Sequence, residues 1–257
     1  SLHMVKAKKM SNDIKKYIKY VKKIISIHSK DKKEFIQLLT QKIIEFSNTH
    51  PNFTYQNIID EFGSPNEVAG SYIESLENDD IIKQLNKKYI FKLGRKGKIH
   101  LIELTFSEVD FHHLAGLKKL DDIKVLHRNR ALVFKEILKE KITINTITKS
   151  VKFTEIKNRL HYLKELETYL DDVKGIYIYD KNKNLGSKIP ADYLMKNVID
   201  KTEVFYFTLR GNGSFVGISF FPKDKKDYTD RQVKLVLLEK SKVDLITNKT
   251  TVLYKRE

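Results

Sequence analysis

The chain has 257 residues, 40% of them hydrophobic and 32% charged, with no cysteine and a formal net charge of +16. This is a globular composition, long enough for one large domain or two smaller ones, and it excludes disulfides, thiolate metal sites and cysteine nucleophiles. No apolar run approaches the ~20 residues of a membrane span and no signal-peptide pattern is present, so a reducing cytoplasm is the expected compartment.

The opening SLHM reads as an expression-tag remnant, and residues 1–10 as tag-derived or disordered. From residue 12 the periodicity is helical. Ile14, Ile18, Val21 and Ile25 form one apolar stripe between Lys15, Lys16, Lys19, Lys22 and Lys23. A second helix directs Phe35, Leu38, Leu39, Ile43 and Phe46 inward and ends before Pro51, and Thr54 caps a third containing Ile58, Ile59 and Phe62. In GSPNEV (63–68), Gly63 closes that helix, Ser64 caps the next, Pro65 suits its first position and Glu67 completes a capping box.

Two helices joined by a tight turn raise the prospect of a DNA-reading helix-turn-helix. The helix after the turn argues against it: PNEVAGSYIESLENDD carries Glu67, Glu74, Glu77, Asp79 and Asp80 and no basic residue, a poor face for phosphates. The FGSPNEVAGSYI segment instead resembles the small helical HAAS module of bacterial signalling and membrane-associated proteins. The expected role of these helices is binding a protein partner or restraint, and the basic first helix with the HAAS likeness suggests peripheral membrane contact as an alternative.

Beyond residue 82 the pattern changes. Residues 89–106 read as two strands around a Gly94 to Gly97 turn, and 122–141 and 152–171 as helices, the second with Ile156, Leu160, Leu163, Leu166 and Leu170 inward. Strands follow at 175–180, 203–209, 215–221, 234–240 and 250–255, with RGNGS (210–214) as a hairpin turn. The expected organisation is a small N-terminal all-α module over residues 1–82 and an α+β domain with a mainly antiparallel sheet over 83–257. Residues 1–80 hold 12 basic and 11 acidic side chains, so most of the positive field lies in the second domain. With a pI near 9.6, the expected partner is a polyanion, nucleic acid or an anionic membrane surface.

Phosphate-binding loops, dinucleotide fingerprints, HExxH and GxSxG motifs are all missing. The acidic pairs Asp121/Asp122 and Asp171/Asp172 have no recognisable metal-ligand spacing, so neither a metal nor another cofactor is expected. The remaining candidates are the adjacent histidines in SEVDFHHLAGLKKL (107–120). If Ser107 caps a short helix, Val109, His113 and Leu117 share one line along it, so His113 points with the apolar residues and His112 away. Histidine titrates near neutrality, as a general acid or base must, and surrounding cations would stabilise a pentacoordinate phosphorane.

FHHLAGLKK (111–119) resembles the Phe-x-His-Leu-x-Gly signature of phage-associated nuclease-like domains, in the superfamily uniting barnase, EndoU, the tRNA-cutting colicins and RelE. A second element, GISFFPKDKKDYTDRQVKLVLLEKSK (217–242), is similar to that family's Ser-Phe-Phe-Pro strand and its Tyr and Gln turn. The likeness spans residues 87–257, with His113, Gly116, Ser219, Tyr228 and Gln232 on motif positions, while His112 stands where relatives often have proline. It implies metal-independent RNA cleavage, tRNA among the candidate substrates, by a toxin or phage-associated effector. His113 is then the acid or base, with Arg159, Lys223, Arg231 and Tyr228 at the phosphate and His112, Lys118, Lys119, Ser219 and Gln232 along the RNA. The alternative is a catalytically inactive nucleic-acid- or protein-binding regulator on the same fold.

Overall fold

The computed structural model describes residues 10–25, 32–75 and 83–257. Residues 1–9 of the stretch expected to be tag-derived and the expected domain boundary at 82 lie outside them, as do Glu77, Asp79 and Asp80. The chain divides into two compact units, one ending at Ser75 and one beginning at Leu76.

The first unit contains α1 (Asn12–Ile24), α2 (Lys32–Thr49), α3 (Tyr55–Phe62) and α4 (Pro65–Glu74). The stripe on α1 is buried as its spacing predicts, joined by Tyr17, whose hydroxyl donates to the carbonyl of Gly63 at 2.7 Å. The capping box at Ser64 and Glu67 is present, and a second one pairs Thr54 with Asn57. On α2 the buried line is Ile36, Leu39 and Ile43, while Leu38, expected inward, is 51% exposed. Phe35 and Phe46 turn to aromatic partners instead, Phe35 stacking on Tyr72 and Phe46 on His50.

The second unit opens with β1 (Lys87–Arg95) and β2 (Lys98–Thr105), then α5 (Glu108–Leu114), α6 (Arg130–Leu138), α7 (Ile144–Ile147), α8 (Thr154–Leu163) and α9 (Leu166–Asp172). It closes with β3 (Gly175–Ile178), β4 (Tyr193–Ile199), β5 (Thr202–Arg210), β6 (Phe215–Pro222), β7 (Val233–Asp244) and β8 (Thr250–Lys255). The β1–β2 turn is Lys96-Gly97 alone, both at positive φ, the primed geometry that suits a two-residue hairpin. Gly94, expected in the turn, is part of β1. The helix expected over 122–141 begins only at Arg130, after a 3₁₀ turn over Lys124–His127, and the one over 152–171 breaks into α8 and α9.

The strand order is β1-β2-β6-β5-β4-β3-β7-β8, and β7 also pairs with β1, so the sheet closes into a barrel with β8 on its outside. Pairing is antiparallel except between β2 and β6, where Leu104 and Thr105 run parallel to Phe215 and Val216. The sheet is therefore mixed. The main core joins strand residues such as Phe91, Leu104, Tyr206 and Phe220 to Leu114, Ile156, Leu166 and Tyr169 from the helices. A second cluster, Tyr179, Leu194, Phe205 and Phe207, is covered by Phe221 and Tyr228. α5 and α8 both pack on β6. That placement builds the site.

Candidate active site

α5 starts at Ser107, whose N–H and hydroxyl both donate to the buried Asp110 carboxylate at 2.8 and 2.9 Å. Its face toward the protein is Asp110, Leu114 and Ala115, while Val109 is 40% exposed, so the predicted Val109–His113–Leu117 line is rotated. In consequence the two histidines exchange their expected environments. His112 is only 4% exposed and its Nε2–H donates to the carbonyl of Leu126 at 2.8 Å, leaving Nδ1 buried without a partner. Burial holds its pKa below the ordinary value. A neutral side chain in this position packs and cannot reach along a bound strand.

His113 is half-buried, and its Nε2 accepts a hydrogen bond from the guanidinium of Arg130. Burial lowers its pKa, and the positive charges of Arg130 and Lys118, with His112, add to that. It is therefore an unprotonated imidazole whose lone pair is engaged by a cation.

α5 ends at Gly116, with φ +73°, a left-handed conformation that glycine adopts without strain. A Cβ there would lie 3.0 Å from Cδ of Arg159 and 3.1 Å from Cγ2 of Ile156. The motif glycine thus leaves room for the stem of an arginine. That arginine, on α8, is half-buried with its guanidinium carbon 5.0 Å from the ring centroid of Phe221. Among the described residues it has no carboxylate and no hydrogen-bond partner, and burial pushes its pKa down, although an arginine stays charged. Lys119 lies in the same positive field, its ammonium 4.0 Å from Glu155.

Tyr228 stands edge-on to Phe205, Phe207 and Phe221 at 5.4, 5.5 and 5.4 Å, with the Lys226 ammonium 4.9 Å over its ring. Ser219 pairs with Phe207 across the β5–β6 ladder, two residues before Phe221 on the same face. Neither the Tyr228 hydroxyl nor the Ser219 hydroxyl has a hydrogen-bond partner among the described residues. Around the Gly116 turn the fold therefore gathers Arg159, Lys119, Tyr228 and Phe221 on one side and His113, Arg130 and Lys118 on the other.

Two expected site residues, Lys223 and Gln232, are engaged in other contacts, and Arg231 is solvent-exposed. Lys223 donates to Glu203 at 2.5 Å and to Asp227 at 3.4 Å, beside Lys196 in the same ion-pair network. Arg231 is exposed and lies 3.8 Å from Asp230. Gln232 clamps a loop to the end of β3, accepting from the N–H of Asp180 at 2.8 Å and donating to its carbonyl at 3.0 Å. Arg130 and Phe221 went unpredicted. The signal for Arg130 was a cation directly after the helix cap Asn129, at the end of a helix where the dipole favours an anion.

The described residues contain no group of three acidic or histidine side chains placed to hold a metal ion. Arrangement and charge define the second unit as a basic α+β domain that presents unneutralised cations and free hydroxyls to an anion. The chain belongs to the phage-Barnase-EndoU-ColicinE5/D-RelE like nuclease4 family, whose model matches residues 83–257. A second match, to a family of unknown function (DUF6120), covers residues 17–107; neither match extends the HAAS likeness of the segment around Gly63. No curated protein and no solved structure matches the chain. No helix among the described residues is long and apolar enough to cross a membrane.

Proposed function

We propose that the nuclease domain cleaves RNA without a metal ion. The ribose 2′-oxygen attacks the adjacent phosphorus, the bond to the 5′-oxygen breaks, and a 2′,3′-cyclic phosphate and a 5′-hydroxyl result. The 2′-proton passes to a base, and the leaving 5′-oxygen takes up a proton from solvent water. The observation that carries this reading is Arg159, a desolvated guanidinium without a counter-ion beside Lys119 and the free hydroxyl of Tyr228. Such a cation suits the charge that grows on the phosphorane. His113, unprotonated at neutral pH, is the proposed base, worth roughly 10²- to 10⁴-fold in rate. An incoming phosphate competes for Arg130, since an ionised acceptor binds a guanidinium more strongly than a neutral imidazole does. The lone pair of His113 is then released for the 2′-proton.

The test is incubation of the full chain and its His113→Ala and Arg159→Ala variants with total RNA and tRNA in EDTA, followed by mapping of fragment ends. Cyclic phosphate ends, lost in both variants, are expected. Equal cleavage by His113→Ala removes the histidine, and dependence on an added divalent ion removes the metal-free mechanism. A second reading is favoured by one observation, the occupation of Nε2 of His113 by Arg130. In that reading the domain binds nucleic acid as a regulator, and no fragment forms under any condition.

A further inference from the structure

The basic strip is divided into two parts. Arg159 and Lys119 lie beyond Gly116, and burial together with Arg159 depresses the Lys119 ammonium. Arg130 and Lys118 lie on the other side, where both act on His113. Gly116 and His113 are one helical turn apart, joined by the bond from the Gly116 N–H to the His113 carbonyl at 3.1 Å. The stem of Arg159 crosses the Gly116 turn and its guanidinium faces Phe221 on β6, whereas Arg130 on α6 meets His113, so the two guanidinium groups face different elements. Among the described residues neither guanidinium has a carboxylate, although Lys119 lies 4.0 Å from Glu155 and the unit pairs many of its other cations with acids. A single phosphate on one part leaves the other part's charge unanswered.

We infer that the site takes an internal stretch of polynucleotide by two successive phosphates, one held by Arg159 and Lys119 and the next by Arg130 and Lys118. This rests on the proposed reading that the ligand is nucleic acid. It adds that the substrate is a chain with phosphodiesters on both sides of one nucleoside, and that mononucleotides and single-phosphate ends are poor ligands.

The experiment is equilibrium binding of the full chain to labelled thymidine trinucleotides, by fluorescence anisotropy. One probe carries two phosphodiesters, and two others have either linkage replaced by a neutral methylphosphonate. In the native chain each replacement weakens binding about tenfold, the effect of losing one charge-assisted contact. Arg130→Met becomes insensitive to one replacement and Arg159→Met to the other, whereas Arg130→Lys keeps both sensitivities. The salt dependence of the doubly charged probe is steeper by roughly 0.7 than that of either singly charged probe.

Loss of sensitivity to the same linkage in both variants, or an Arg130→Met protein that still responds to both, overturns the inference. So does the absence of binding to every probe. The probes lack a 2′-hydroxyl, so the outcome is independent of cleavage. A chain that never cuts RNA yet shows the two-linkage pattern refutes the ribonuclease reading and keeps the two-phosphate site.

Discussion

Gly116 gives the sharpest test of how the site is assembled, because replacing it removes no functional group. Alanine at φ +73° costs about 1–2 kcal/mol for the left-handed backbone. Its Cβ would also meet Ile156 at 3.1 Å and Arg159 at 3.0 Å. Ile156 is fully buried in the main core and cannot retreat, so the arginine stem moves. A displacement of about 1 Å in a positioning group costs on the order of 10²-fold in rate. Gly116→Asn separates the two effects, since asparagine tolerates the left-handed conformation but carries the same Cβ. The assay is single-turnover RNA cleavage beside urea denaturation, for Gly116→Ala, Gly116→Asn, Arg159→Ala and the Gly116→Ala/Arg159→Ala pair. Both glycine variants are expected to lose activity, with Asn the more stable, and the double variant to be no worse than Arg159→Ala. Fully additive losses, or a Gly116→Asn protein with native activity, would refute the claim that the glycine acts through the arginine.

The adjacent histidines should separate stability from chemistry. His112→Ala loses about 1–3 kcal/mol in denaturation because the Leu126 carbonyl is left without its buried donor, whereas His113→Ala unfolds close to native but loses cleavage. Both native imidazoles titrate below the ordinary value, so the unfolded chain takes up protons first as pH falls through about 6.5. Stability should therefore be fully present above that pH and decline as pH falls below it, as urea midpoints would show, and His112→Gln should flatten the decline. Lys240 is buried at the end of α9, donating to the carbonyls of Leu170 at 3.1 Å and Val173 at 2.9 Å and to that of Asp171, with burial lowering its pKa to about 8. Lys240→Met leaves those acceptors unanswered and should cost about 2–4 kcal/mol in thermal or urea unfolding.

What the sequence discloses follows the range of the interactions. Local signals hold well: the capping box at Ser64 and Glu67, the α1 stripe and the β5–β6 hairpin depend on neighbours along the chain. β4 is invisible because its turn to β5 is Asp200-Lys201, two residues at positive φ with no glycine to mark them. Closure of the barrel depends on β7, which pairs with β1, β3 and β8 along its length, a property no local pattern reveals. The site follows the same rule. His113, Gly116 and Tyr228 are legible as motif positions, but their connection through Arg159 and Phe221 is long-range. The histidine faces are misread because the helix is a short one between α6 and β6, so two flanking contacts decide its orientation rather than one apolar stripe.

The cations of the nuclease domain divide into those held by carboxylates and those without one among the described residues. Lys196 and Lys223 share Glu203 and Asp227, Lys242 is held by Glu167 and Asp171, and Lys87 lies against Asp244. Among the described residues Arg159 has the face of Phe221 and the electrostatic influence of Tyr228 but no carboxylate, so its partly buried charge is only weakly compensated. The folded chain therefore carries a local electrostatic cost that an anion would relieve. Two opposite responses follow in one measurement. Native protein gains stability with an added oligonucleotide, ~2.7 kcal/mol at a hundredfold excess over Kd. Arg159→Met, which keeps an unbranched stem and discards the charge, should melt at or above the native temperature when free, and gain far less from the oligonucleotide. A variant that melts well below native would mean that the arginine is balanced within the fold, and the reading of Arg159 as a waiting phosphate ligand would fail.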